Sequence, residues 1–180
     1  MSYVAVVGSR LLPPSWAPRV SLVVSSLLAR GHFIGSGGAL GADLFALRAL
    51  VSRGRSACEG SVVFLPGDIS LAPSSCRFWL SRFVSLGGRV IRGSARPGCS
   101  RSQFVSALFA RSRRLVSGSS GVVAFVSGRS RGSWYTVRFA CLRGLPVVVF
   151  PVEGLSSLPS LGSGRWSPLS SWPGGFRWLS

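Results

Sequence analysis

The stretch Gly35-Ser36-Gly37-Gly38-Ala39-Leu40-Gly41-Ala42-Asp43 places four glycines, a serine and a carboxylate between a strand-like segment and a helix-like one. The chemistry open to such a loop is anion binding. Glycine permits positive φ and lets a ligand approach the main chain, and the unpaired N–H groups of a first helical turn attract a phosphate. Asp43 falls in that first turn, where the helix dipole favours a carboxylate whether or not it does chemistry. Two other stretches repeat the composition: Gly8-Ser9-Arg10, and Gly128-Arg129-Ser130-Arg131-Gly132-Ser133. Their hydroxyls and guanidinium groups can make charge-assisted bonds to phosphate oxygens. A glycine-rich turn by itself also serves as a tight connection with no ligand, so what matters is whether the three stretches meet.

Other chemistries are poorly supplied. Ser9, Ser36 and Ser133 would need a base to act as nucleophiles, and the single histidine, His32, opens a strand-like run where packing is its usual duty. Cys58, Cys76, Cys99 and Cys141 are widely spaced and contain no Cys-x-x-Cys pair. They read as four reduced, mostly structural thiols, and neither a metal nor a cofactor is expected. The acids are Asp43, Glu59, Asp68 and Glu153, of which Asp43 alone falls in a ligand loop and is the one candidate for a catalytic carboxylate.

The elements that position these loops are legible in the apolar patterning. Residues 3–7 are a near-continuous apolar run, as in a central strand covered on both faces. Prolines at 13, 14 and 18 then introduce a helix with Val20, Val23, Val24, Leu27 and Leu28 on one face, stopped by Gly31. A short strand at 32–34 precedes the glycine loop, and Leu40, Leu44, Leu47 and Val51 keep helical spacing after it. A connection at 54–60, a strand at 61–65, a turn at 66–68, a helix over 73–86 and a strand at 89–91 follow. The spacing predicts a helix over about 101–117 with Phe104, Leu108 and Leu115 toward the core and Arg101, Arg111, Arg113 and Arg114 supplying charge. A strand at 121–126, the third loop, a helix through Arg143 and a strand at 146–150 complete the alternation. Alternating strands and helices imply an α/β fold with a mostly parallel sheet, right-handed crossovers and helices on both faces. Every strand-to-helix loop of such a sheet emerges at its carboxyl edge, so the three loops can meet there.

At 180 residues and 47% hydrophobic content the chain is expected to form one domain, assigned to 1–152, followed by a tail at 153–180. The tail is rich in Ser, Pro and Gly yet carries Trp166, Trp172, Phe176 and Trp178, so it is expected to pack on the domain or on a partner. The longest apolar stretch, 145–152, falls short of the ~18 residues of a membrane span, and the first residues lack the pattern of a signal peptide; a cytoplasmic protein is expected. The net charge is +17, and all 21 basic residues are arginine. Such charge favours polyanions, although the arginines are dispersed and a coding bias toward arginine would give the same composition.

With these loops in place the chain resembles the SMF/DprA-LOG (SLOG) superfamily, whose members bind nucleotides, nucleotide derivatives or single-stranded DNA. The resemblance is carried by Val4-Ala5-Val6-Val7-Gly8-Ser9-Arg10, by Ser36 through Asp43, and by Val123-Ala124-Phe125-Val126 with Ser130-Arg131-Gly132-Ser133. It implies a Rossmann-like three-layer fold. Leu40 stands where the DprA-like branch usually has arginine, and Thr136 where the LOG branch has the glutamate of its Pro-Gly-Gly-x-Gly-Thr-x-x-Glu motif, with Gly128 replacing the proline. Cleavage of an N-glycosidic bond needs a group that stabilises an oxocarbenium-like state or activates water, and threonine does neither well, so the chain is expected to bind rather than cleave. The expected ligand is a nucleotide or nucleotide-derived small molecule, held by Gly8, Ser9, Arg10, Gly35, Ser36, Gly37, Gly38, Gly41, Asp43, Gly128, Ser130, Arg131, Gly132 and Ser133. The alternatives are single-stranded DNA or RNA bound in the same pocket, and a LOG-like nucleotide N-glycosidase using Asp43. No membrane partner is expected, and a second copy of the chain is compatible with this reading.

Overall fold

A computed structural model describes residues 2–152 and 157–180; Glu153 and the start of the 153–180 tail lie outside the described residues. The first strand, β1 (Tyr3–Gly8), is buried because it is central: Val4 and Val6 face one core, and Tyr3, Ala5 and Val7 face the other. The remaining strands are β2 (Phe33–Ser36), β3 (Val62–Phe64), β4 (Arg89–Ile91), β5 (Ser119–Val126), β6 (Val147–Pro151), β7 (Arg165–Pro168) and β8 (Phe176–Leu179). They form one eight-stranded sheet in the order β4-β3-β2-β1-β5-β6-β8-β7. From β4 to β6 every pairing is parallel, while β8 runs antiparallel to β6 and β7 antiparallel to β8. The chain winds outward from β1 to β4 and then returns to the other side of β1 with β5. The carboxyl ends of β1 and β5, where Gly8 is paired with Phe125, therefore flank a topological switch point.

Helices α1 (Ala17–Ala29), α2 (Ala42–Ser52), α3 (Arg55–Glu59) and α4 (Ser74–Ser85) cover one face through residues such as Val24, Leu47, Cys58 and Phe83. Helices α5 (Arg101–Ser117) and α6 (Arg131–Leu142) cover the other through Leu115, Val116, Trp134 and Val137. The start of α5 is set by a capping box in which Ser100 Oγ accepts from the Gln103 N–H and the Gln103 side chain accepts from the Ser100 N–H. Among the described residues no helix is long and apolar enough to cross a membrane.

The sheet departs from the sequence expectation in three places. Gly35 and Ser36 belong to β2, not to the loop, because pairing with Val62 and Val63 continues the ladder through them. Gly35 is there for packing: a Cβ would overlap the ring of Tyr3, whose hydroxyl donates to the Leu115 carbonyl at 2.7 Å. The connection at 54–60 contains the short helix α3, started after Gly54 at φ 81° and docked by buried Ala57 and Cys58. Arg131, Gly132 and Ser133 form the first turn of α6, so the third loop is shorter than the spacing suggests. In residues 157–180, β7 and β8 extend the sheet past β6; Trp178 packs on Trp166 with ring centroids 5.1 Å apart, and Trp172 Nε1 donates to Ser26 Oγ at 3.3 Å.

Candidate functional site

At the switch point the first two loops are locked together by their backbones. Gly8 has no room for a Cβ, which would overlap the Phe125 carbonyl, and the next N–H, of Ser9, donates to that carbonyl at 2.7 Å. The Ser9 carbonyl in turn accepts from Ala42 N–H at 3.2 Å, at the start of α2. Gly41 adopts φ 70°, and a side chain there would meet the Ser9 carbonyl first; at Gly38, φ 66°, it would meet Leu65. The third loop closes on this pair through Ser127 Oγ, 3.5 Å from Ser9 Oγ.

The result is a cleft of about 470 Å³. Of the residues expected from the sequence, Gly8, Ser9, Arg10, Asp43, Ser130, Arg131, Gly132 and Ser133 line it. Gly37 and Gly38 line a smaller hollow of about 240 Å³, which shares Arg10 and Arg111 with the cleft. Gly35 and Ser36 are buried in β2, Gly41 holds Ser9, and Gly128 borders a third hollow outside α6.

The floor of the cleft carries a buried ion pair. Asp43 is 3% exposed, and its Oδ2 accepts from Arg111 Nη1 at 3.4 Å and from Ala39 N–H at 3.3 Å. Burial pushes the Asp43 carboxyl above its ordinary value, opposed chiefly by Arg111, then by the Ala39 N–H and Arg10. Burial likewise lowers the Arg111 guanidinium from its ordinary value, with Asp43 opposing. A Cβ on Gly37 would overlap Arg111 Nη1, so this glycine makes room for the pair. Among the described residues Asp43 Oδ1, Arg111 Nε and Ser36 Oγ are buried with no hydrogen-bond partner. Sequence reasoning counted Arg111 with Arg101, Arg113 and Arg114 as supplying charge and not among the core-facing residues of this helix. The signal against that is its position in the stripe Phe104, Leu108, Arg111, Leu115, where an arginine turned inward must find a carboxylate.

Above the floor, the rim is positive and rich in donors. α6 begins without a side-chain cap and with no acid in its first turn, and among the described residues the N–H groups of Gly132 and Ser133 have no acceptor. Ser130 Oγ and Ser133 Oγ lie 2.6 Å apart, and a Cβ on Gly132 would point into open space. Thr136 Oγ1 donates to the Gly132 carbonyl at 3.0 Å, a helix-internal bond. Among the described residues only three arginines, Arg55, Arg92 and Arg111, have a carboxylate partner, so Arg10, Arg129 and Arg131 bring unpaired charge to the rim. Leu40, 39% exposed, shares the small hollow with Arg10 and Arg111.

The fold has counterparts in known proteins. DNA processing protein A from Helicobacter pylori, a structure described for its single-stranded DNA binding mode, is similar over 84% of this chain and 66% of its own, with 22% identity and a TM-score of 0.65. DprA from Streptococcus pneumoniae is similar over 87% of this chain and 54% of its own, with 26% identity and a TM-score of 0.68. The chain thus spans between about half and two thirds of the length of these relatives. No curated protein matches it. Residues 1–163 match the family described as DNA recombination-mediator protein A, which has the Rossmann-like fold seen here, and the chain belongs to that family.

Proposed function

We propose that the chain binds single-stranded DNA, with one backbone phosphate held between Ser9, Arg10 and the first turn of α6. The observation that carries this reading is that, among the described residues, unpartnered arginines and free α6 N–H groups share one cleft whose only acid, Asp43, is already ion-paired. Family membership and the binding mode described for the Helicobacter protein support it. The buried Asp43–Arg111 pair holds the glycine loop beneath the phosphate. The reading takes 1–152 as the binding domain, with a nucleic-acid ligand and free thiols that suit a cytoplasmic protein. A mononucleotide or nucleotide-derived ligand remains a second reading because the cleft, about 470 Å³, falls in the range of small-molecule sites.

Fluorescence anisotropy with a labelled oligothymidylate, repeated over a salt series, separates the two. A strand that contacts several arginines gives a steep log–log salt dependence, whereas one phosphate gives a shallow one. Arg10→Ala and Arg131→Ala should each cost about 1.5 to 3 kcal/mol of binding, the range for hydrogen bonds to charged groups. Arg82→Ala, exposed on the far helix α4, should cost little. Equal small losses from all three would mean diffuse polyanion attraction and would sink the proposal.

A further inference from the structure

Next to the cleft, outside α6, lies a hollow of about 740 Å³ bordered by Phe109, Arg131, Tyr135, Arg138 and Phe139. Phe109 and Arg131 line both spaces, so the two adjoin. Helical spacing builds the wall: Arg131, Tyr135, Arg138, Phe139 and Leu142 share one face of α6, while Trp134, Val137 and Ala140 go into the core. Phe109 of α5 meets Tyr135 edge-on at 4.6 Å, and the rings of Tyr135 and Phe139 lie within 3° of parallel at 6.3 Å. Cations frame the aromatics: Arg113 Nη1 donates to Tyr135 Oη at 3.3 Å, and the Arg143 guanidinium lies 5.9 Å from the Phe139 ring centre. Phe109 is 37% exposed and Leu142 84%. Among the described residues no acid lines the hollow.

Exposed Phe109 and Leu142 with half-buried Tyr135 and Phe139 make an apolar patch, and such a patch usually marks a surface that something covers. Arginines interleaved with aromatic rings, without a compensating carboxylate, favour a polyanion that also carries π-faces. A single nucleic-acid strand is such a partner, and the face adjoins the place where its phosphate would be held. We propose that this face of α6 is a base-stacking track for single-stranded DNA. Bases leaving the cleft stack on Phe109, Tyr135 and Phe139, and Arg131 and Arg138 take the flanking phosphates. The inference rests on the single-stranded DNA reading of the cleft.

The test compares binding of a labelled oligothymidylate with binding of the same strand carrying abasic sites at alternate positions. Wild type should bind the abasic strand at least about fivefold more weakly, the scale of losing one stacked base. The variant Phe109→Leu/Tyr135→Leu/Phe139→Leu keeps apolar bulk but not the rings, and should bind both strands alike. Tyr135→Phe, which loses only the Arg113 bond, should keep the wild-type ratio, as should Phe78→Leu, an exposed aromatic on α4. The wild-type ratio needs no variant to fold, and a wild type that binds both strands equally overturns the track. So does a leucine variant that retains the ratio. No binding of either strand by wild type overturns the reading of the cleft and the track with it, an outcome distinct from equal binding.

Discussion

Replacing Arg111 with methionine removes the guanidinium and keeps the stem. The Asp43 carboxylate, 3% exposed, is then left with the Ala39 N–H and the more distant charge of Arg10. Breaking a buried pair by deleting one partner costs about 3–5 kcal/mol. Against a total stability of about 5–15 kcal/mol for a domain, such a loss is easily measured. It should also depend on pH. Burial already holds the Asp43 carboxyl above its ordinary value and Arg111 is the main influence drawing it down, so in Arg111→Met it rises further. A folded-state pKa above the unfolded one contributes stability that is present below the unfolded pKa and is lost as pH rises through the folded pKa. The deficit relative to wild type should therefore be about 3–5 kcal/mol at pH 7 and smaller at pH 5. Urea denaturation followed by tryptophan fluorescence at both pH values measures it, and Asp43→Asn/Arg111→Met, with nothing left to titrate at this position, should show no such recovery. A deficit below about 1 kcal/mol at pH 7, the range of an exposed pair, would refute the buried-pair reasoning, as would a deficit equal at the two pH values.

Three further outcomes are expected. Gly41→Val forces a β-branched residue to φ 70° against the Ser9 carbonyl and should lower the melting temperature by ~4 °C or more, so a variant melting like wild type would show the loop to be pliable. Gly132→Ala, with open space around its Cβ in the first turn of α6, should melt no lower than wild type yet bind the oligothymidylate more weakly; unchanged affinity in anisotropy would remove this turn from the site. Cys58 is fully buried and its thiol is pushed up to about 11 by burial, so at pH 8 only ~0.1% is thiolate. Mass spectrometry after iodoacetamide treatment of native protein should find Cys58 unmodified while half-buried Cys99 reacts, and equal labelling of the two would contradict the packing of α3.

The chain's patterning alone determined where the longer elements lie and which edge carries the loops. The helix over 101–117 followed from the spacing of Phe104, Leu108 and Leu115, and Gly31 at φ 79° ends a stripe that begins at Val20. These are local signals, since helical periodicity and glycine's backbone freedom act over a few residues. Strand–helix alternation then constrained the rest, because right-handed crossovers in a parallel sheet send every strand-to-helix loop to the carboxyl edge. The tertiary structure alone decided what each glycine and arginine faces. Gly35 is needed by the Tyr3 ring and Gly37 by the Arg111 guanidinium, although both read in the sequence as ligand-facing glycines. Arg111 differs from exposed Arg113 and Arg114 by a partner, Asp43, that lies 68 positions away along the chain. The strands β7 and β8 are four residues each and too short to show a period, and they exist because the free edge of β6 supplies hydrogen bonds to β8. Contacts of this range are made by packing in three dimensions, and local sequence can show that a residue turns inward without showing which distant partner it meets.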